Sequence, residues 1–186
     1  MNVMADSYVL TIDAEDGYYV HINKPITDIA EYEELLSILS ISAVPVHLLI
    51  SCNGGNFDTA CTLYNSIVSS KCRVTAHCIG PVDSSATLLV MAADEIVIYP
   101  LSTLTIHTVS LGNIEGTINE ILDFAVSSAS NTQHVFDTVY SNFLTTQELC
   151  RLNDGKKFHF NAGELYARAM GMGKNAVMRG NDGKSD

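Results

Sequence analysis

Residues 44–107, VPVHLLISCNGGNFDTACTLYNSIVSSKCRVTAHCIGPVDSSATLLVMAADEIVIYPLSTLTIH, decide the fold. Three apolar runs within this stretch, VPVHLLIS, RVTAHCIG and EIVIYP, are typical of buried strands. Gly54-Gly55 marks the end of the first run, and the segments at about 58–71 and from about Ser84 have the character of helices. Alternating strands and helices predict an α/β fold, with parallel strands joined by right-handed helical crossovers.

The residues before this stretch predict a hairpin and a helix. YVLTID and YYVHIN flank an acidic turn at 14–17, as the two strands of an antiparallel hairpin would. DIAEYEELLSILSIS then carries apolar residues at helical spacing, behind a cap at Thr27 or Asp28.

The residues after it predict three more helices. A long helix is expected over about 114–142, projecting from the domain. Thr145 with Glu148, and Asn161 with Glu164, fit capping boxes that open two shorter helices. The periodicity is lost after Gly173, so we expect one domain at 1–173 and a mobile tail at 174–186.

Composition excludes several classes of function. A formal net charge of -11 opposes binding to a phosphate backbone, so no nucleic-acid partner is expected. Neither a secretory signal nor an apolar run of membrane-spanning length is visible, and no membrane association is expected.

The five cysteines form no C-x-x-C pair and are expected to be reduced in a cytoplasmic protein. The six histidines lack the paired spacing of a metal site, so neither a metal nor another cofactor is expected. His47 and His77 alternate with apolar strand residues and are expected to be structural.

Three strand ends carry residues suited to acyl transfer: Gly54-Gly55, Ser84-Ser85 and His107. A serine hydroxyl needs a base to become a nucleophile, and a neutral histidine is the usual base. A glycine turn and a helix N-terminus both offer backbone N–H groups to an oxyanion. Each feature alone also fits a structural role, as a helix cap, a core histidine or a turn.

These residues, taken together and in order, resemble the core of the proteolytic subunit of the Clp protease. That family has an INSPGG segment, a G-x-x-x-S segment and an IH strand, matched here by ISCNGG, GPVDS and IH. The resemblance covers roughly 18–172. It implies a ClpP/crotonase-like fold of stacked ββα units, with parallel strands and a protruding handle helix.

The resemblance also implies roles for particular residues. Ser84 matches the nucleophile and His107 the general base, whereas the backbone amides of Gly55 and Ser85 match the oxyanion hole. The Ser85 hydroxyl is then expected to cap the following helix. The segment from about Leu111 matches the substrate-binding strand, and the helix after it matches the handle that interleaves two rings.

The third member of the triad departs from the family. Aligning FNAGEL with the corresponding family segment puts Lys157 where an aspartate is expected. Asp154 is the candidate acid, and Asn153 and His159 are weaker candidates. Further departures are Cys52-Asn53 in place of Ser-Pro before the glycines, and Asp83 before the serine.

Two functions from different classes follow from the resemblance. The first is a Clp-type serine endopeptidase that cleaves unfolded polypeptides inside stacked heptameric rings fed by an AAA+ unfoldase. The second is a weak or inactive ring subunit with a structural or regulatory role, in homomeric rings or in rings mixed with another ClpP-like subunit. Two other enzyme classes rank below these two functions: a peptidase with a Ser-Lys dyad that uses Lys157, and an acyl-CoA enzyme of crotonase type. The short start of the chain suggests a viral or otherwise divergent copy of the family.

Overall fold

The structure is a computed structural model that describes residues 9–13, 17–110, 112 and 114–179. Within them, strands and helices alternate along most of the chain. The strands are β1 (Val9–Asp13), β2 (Gly17–Ile22), β3 (Val46–Cys52), β4 (Val74–Asp83), β5 (Glu95–Ile98), β6 (Thr103–Ile106), β7 (Phe158–Asn161) and β8 (Asn175–Met178). The helices are α1 (Glu33–Ile41), α2 (Phe57–Val68), α3 (Ala86–Ala92), α4 (Ile118–Tyr140), α5 (Thr146–Asn153) and α6 (Ala162–Gly171), and a 3-10 turn (Ile29–Tyr32) leads into α1.

The strands form a mainly parallel sheet in the order β1-β2-β3-β4-β5-β8. Strands β2, β3, β4, β5 and β8 are parallel, and β1 is antiparallel to β2. The first half of β4 pairs with β5, whereas its last residues pair with β6, to which β7 is antiparallel. The predicted α/β fold with an initial hairpin and parallel strands is confirmed.

The core lies between one face of this sheet and the helices. Every second residue of β3 is buried, namely Val46, Leu48, Ile50 and Cys52, as expected for a strand with one face against a core. Helix α3 is buried over its whole length. A helix that is apolar all round belongs in the interior, so α3 holds the turn before it firmly in place.

Side-chain caps fix where several helices begin. Asp28 accepts a hydrogen bond from the Ala30 amide at 2.9 Å, which selects Asp28 over Thr27 as the first cap. The predicted capping boxes that open α5 and α6 are both present. Thr117 and Glu120 form another box that the sequence analysis missed, although its T-x-x-E signature is visible.

The Thr117 box starts α4 at Ile118, later than the predicted 114, and the helix ends at Tyr140 rather than 142. Its buried residues are confined to its last turns, whereas Ile118 and Val126 are 79% and 70% exposed. The first part of α4 therefore stands free of the domain in the single chain. No helix of the described residues is both long and apolar enough to span a membrane.

The predicted mobile tail at 174–186 is wrong for its first residues. Strand β8 pairs in parallel with β5, and the Arg179 amide donates to the Ile98 carbonyl at 2.9 Å. The Lys174 ammonium also donates to the Ala93 carbonyl at the end of α3. The open edge of β5 provides pairing partners that the four residues of β8, NAVM, do not reveal by their own periodicity. Residues 180–186 lie outside the described residues.

Candidate active site

The three predicted strand ends meet at one edge of the sheet. Cys52 of β3 pairs with Val82 of β4, and Asp83 pairs with Thr105 of β6. The residues that follow these pairs are the Gly54-Gly55 turn, Ser84 and His107. Because the carboxyl ends of parallel strands share an edge, the topology brings these residues together.

Ser84 occupies a strained turn between β4 and α3. Its φ is +57°, and it is the one non-glycine residue with positive φ in the described part of the chain. This left-handed conformation costs an L-residue about 1–2 kcal/mol. The Ser84 amide donates to the Thr105 carbonyl at 2.8 Å, which ties the turn to the strand that carries His107. A serine on a strained strand-to-helix turn is typical of hydrolase nucleophiles.

The two glycines are required by close contacts. A Cβ on Gly54 would lie 2.6 Å from the Ser84 Cβ, and one on Gly55 would lie 2.1 Å from the Ile26 carbonyl oxygen. The backbone of Ile26 bonds to the residues on either side of Gly55. Its amide donates to the Gly54 carbonyl at 2.9 Å, and its carbonyl accepts from the Asn56 amide at 2.7 Å. Within the described residues, neither the Gly55 nor the Ser85 N–H donates a hydrogen bond. Both amides therefore remain available to a substrate oxyanion.

The Ser85 hydroxyl does not cap α3, contrary to the sequence prediction. Ser85 already has helical dihedral angles, φ −59° and ψ −22°, rather than the extended ones of a capping serine. Its side chain is only 5% exposed, and its Oγ donates to the Gly55 carbonyl at 3.2 Å. The second serine thus links the two peptide segments whose amides are the oxyanion candidates.

His107 is held in one tautomer by a backbone group. Its Nδ1 lies 2.7 Å from the Thr108 carbonyl oxygen. Because a carbonyl oxygen can only accept, Nδ1 carries the hydrogen and the neutral ring has its free lone pair on Nε2. No hydrogen bond joins His107 to the Ser84 hydroxyl within the described residues. Such bonds are often long before substrate binds, so a catalytic pair need not be hydrogen-bonded in the free chain.

The candidate acids do not form a hydrogen bond with His107. Asp154 is exposed and ends α5 as its C-terminal cap. His159 instead contacts the Thr105 hydroxyl at 3.1 Å. Ile106 pairs with Phe158 at the end of the β6–β7 ladder, and His107 and Lys157 are the next residues beyond this last pair. In the described residues, the Thr108 carbonyl is the partner of Nδ1, and sequence patterns of side chains had no means of indicating it.

A surface cleft of about 210 Å³ adjoins the loop after His107. Loop residues, the middle of α4 and the end of α5 line it: Thr108, Val109, Ala125, Ser128, Ala129, Thr132, Gln133 and Asn153. Asn153, the weaker acid candidate, is one of the residues that line this cleft, and like Asp154 it is exposed. Of the predicted substrate strand from about Leu111, residues 111 and 113 lie outside the described residues.

The buried cysteines are poorer candidates for a nucleophile than Ser84. Burial raises the pKa of Cys52, which lies beside the glycine turn, and raises that of Cys78 to about 12. Both thiols are therefore neutral near pH 7, and a neutral thiol is a weak nucleophile. The described residues contain no group of three or more His, Cys, Asp or Glu side chains arranged to hold a metal ion.

Comparison with known proteins assigns the chain to a family. The family model for Clp protease matches residues 18–164, which is most of the sequence. The chain belongs to the Clp protease family. Among solved structures, a mutant of ClpP1 from Listeria monocytogenes matches with a TM-score of 0.63 and 18% identity, over 88% of this chain and 92% of that one. At this identity the structural match shows the fold, and it confirms the predicted ClpP-like architecture. A comparison with curated proteins found no significant match.

Proposed function

We propose that this family member is a serine endopeptidase subunit that hydrolyses unfolded polypeptides. Ser84 attacks the peptide carbonyl, and His107 Nε2 takes the hydroxyl proton. The amides of Gly55 and Ser85 hold the oxyanion of the tetrahedral intermediate. His107 then returns the proton to the leaving amine, and water hydrolyses the acyl-enzyme by the reverse roles. The reaction needs no cofactor.

One observation carries the proposal: Ser84 is strained at φ +57° beside two backbone amides that make no hydrogen bonds within the described residues. A structural serine at a helix start has no need of this strain. Three separate backbone segments converge on Ser84, and each supplies what acyl transfer requires. The tautomer of His107 also leaves Nε2 as the atom that accepts a proton.

We further propose that the active form is a barrel of stacked rings in the cytoplasm, as the family relationship suggests. In the single chain, α4 exposes Leu122 and Phe124 as well as Ile118 and Val126. Apolar side chains in such number on one free-standing helix favour burial against other copies. An AAA+ unfoldase is the expected source of unfolded substrate.

A second candidate is a ring subunit of weak or no activity. The observation in its favour is the environment of His107, where the Thr108 carbonyl accepts from Nδ1 and the residue that precedes the last β6–β7 pair on β7 is Lys157, not a carboxylate. A missing acid lowers the rate of such enzymes without removing the remaining chemistry. The two candidates therefore differ in measurable rate rather than in fold.

The test is reaction of the purified assembly with a fluorophosphonate probe, followed by intact-mass analysis and peptide mapping. We expect an adduct on Ser84 that is lost in Ser84→Ala and His107→Ala. Labelling retained in His107→Ala would favour a Ser-Lys dyad with Lys157. Rings that give no adduct would refute the peptidase and support the inactive subunit. Asp154→Asn tests the predicted acid, because a triad role requires a lower labelling rate.

A further inference from the structure

A buried chain of hydrogen bonds connects the end of α4 with the Ser84 turn. The Thr87 Oγ1 lies 2.6 Å from the Ser84 carbonyl oxygen and 2.6 Å from the Tyr140 hydroxyl oxygen. Thr87 is fully buried and Tyr140 is 2% exposed. The two hydroxyls come from helices far apart in sequence, so the contact depends on how α4 packs against α3.

The direction of these bonds follows from the number of hydrogens. The Ser84 carbonyl can only accept, so the one hydroxyl hydrogen of Thr87 is used there. The Tyr140 hydroxyl must then be the donor to Thr87. Burial raises the pKa of Tyr140 well above its usual value, so the phenol keeps its hydrogen across the working pH range. All three groups thus have partners in a buried site.

The chain of bonds completes a clamp on the backbone of Ser84. The Ser84 carbonyl accepts from both the amide of Thr87, at 3.0 Å, and its hydroxyl. On the other side, the Ser84 amide is held by Thr105. Strained conformations of this kind persist only where the surroundings determine them strongly. Both peptide groups of the strained residue are thus fixed, one by Thr105 of β6 and one by Thr87 of α3, which Tyr140 of α4 contacts in turn.

The tyrosine end of the clamp is itself fixed by packing. Tyr140 lies against Phe136 with ring centroids 5.6 Å apart, and Phe136 contacts Phe57 of α2 edge-on at 6.5 Å. These rings seat the last turns of α4 on the domain, although the first part of the helix is free of it. The position of the Tyr140 hydroxyl therefore reports how the end of α4 is seated.

We propose that Thr87 and Tyr140 are positioning residues for Ser84, which make the reactivity of the nucleophile depend on the seating of α4. The inference rests on the proposed function, because a clamp on Ser84 affects catalysis only if Ser84 is the nucleophile. Neither side chain touches the reacting atoms. Both act through the carbonyl of the residue that does.

The test compares the rates of fluorophosphonate labelling of Thr87→Val, Thr87→Ser and Tyr140→Phe with that of the wild type. Thr87→Val keeps the shape and removes the hydroxyl, and we expect about tenfold slower labelling, since a small misplacement of a reacting group can cost up to about 10²-fold. Tyr140→Phe should slow labelling less, and Thr87→Ser should restore most of the rate. Thr138→Val is the matched control, because Thr138 makes only an exposed bond to the His134 carbonyl within α4.

Two further measurements separate positioning from a general loss of stability. Because the two hydroxyls act in series, the double variant Thr87→Val/Tyr140→Phe should label no more slowly than Thr87→Val alone. Amide hydrogen exchange of a peptide covering 84–88 should become faster in Thr87→Val than in the control. The clamp is overturned if the double variant labels more slowly than Thr87→Val by the full separate effect of Tyr140→Phe. It is also overturned if Thr87→Val leaves amide exchange unchanged and labels within about twofold of the wild-type rate. A folded wild type that is not labelled at Ser84 overturns the proposed function instead, and the catalytic meaning of the clamp with it.

Discussion

Substitution of Gly54 by alanine should disable the site by direct contact with Ser84, the proposed nucleophile. The new Cβ would lie 2.6 Å from the Ser84 Cβ, 2.8 Å from the Asp83 carbonyl oxygen and 3.0 Å from the Ser85 nitrogen. Ordinary van der Waals contact begins at 3.4 Å, so the two Cβ atoms must separate by the difference from 2.6 Å, about 0.8 Å. A displacement of about 1 Å at a reacting group can cost about 10²-fold in rate, and we expect a loss of that order.

A matched glycine separates this contact from backbone strain. Gly54 has φ +89°, and alanine there also suffers left-handed strain of about 1–2 kcal/mol. Gly173 has φ +73° with no heavy atom within 4 Å of an added Cβ, so Gly173→Ala carries a similar strain without the collision. Thermal unfolding of both variants measures the backbone strain that they share. Fluorophosphonate labelling measures the effect of the added Cβ of Gly54→Ala on Ser84. Gly54→Ala that labels within threefold of Gly173→Ala would refute the argument.

Three other substitutions test separate parts of the structure. Ser85→Ala removes the hydroxyl that bonds to the Gly55 carbonyl and so joins the two segments whose amides are the oxyanion candidates. Labelling should slow by up to about tenfold, which is less than the cost of about 10²–10³-fold for losing an oxyanion donor; an unchanged rate contradicts this. In Glu148→Gln, urea unfolding at pH 7 should show a loss of about 1–3 kcal/mol. The two hydrogen bonds from Arg168 lower the pKa of Glu148 from 4.5 to about 2. The loss of unfolding free energy in Glu148→Gln should therefore shrink as pH falls from 4.5 towards 2, and a constant loss refutes the ion pair. Lys157→Asp introduces a carboxylate one residue from the Ile106–Phe158 pair and should raise peptide turnover at least about tenfold. Lys156→Asp makes the same charge change one residue further away and should not; equal effects refute the argument from the register.

The alternation of elements could be predicted because each signal was local. Runs such as VHLLISC carry both β-branched residues and the alternating burial that the structure shows in β3. Caps are equally local: Asp28 and the boxes at Thr145 and Asn161 depend on residues within one helical turn. The Thr117 box carried the same signature and was open to prediction. Strand β8 was missed because its existence depends on the free edge of β5, which is distant in sequence.

The geometry at Ser84 was beyond such reasoning. Serine is not a residue that signals positive φ, and its conformation here is imposed by Thr105 on one side and Thr87 on the other. The pairing of Thr87 with Tyr140 spans 53 residues of sequence and depends on helix packing. The true partner of His107 Nδ1 is a backbone carbonyl, and every residue type supplies one. Residue types pointed to the candidate site, but only the tertiary structure shows how its atoms are held.

The environment of His107 sets the expected character of the chemistry. The Thr108 carbonyl fixes the tautomer as a carboxylate would, but it carries only a partial charge and stabilises the imidazolium less. In the proposed mechanism this weaker stabilisation slows proton transfer from Ser84, whereas the amides of Gly55 and Ser85 make no hydrogen bonds within the described residues. A subunit with the proposed oxyanion hole and a weakened base should acylate slowly rather than not at all. The distinction between a peptidase and a structural ring subunit therefore lies in the rate of one step, the attack of Ser84.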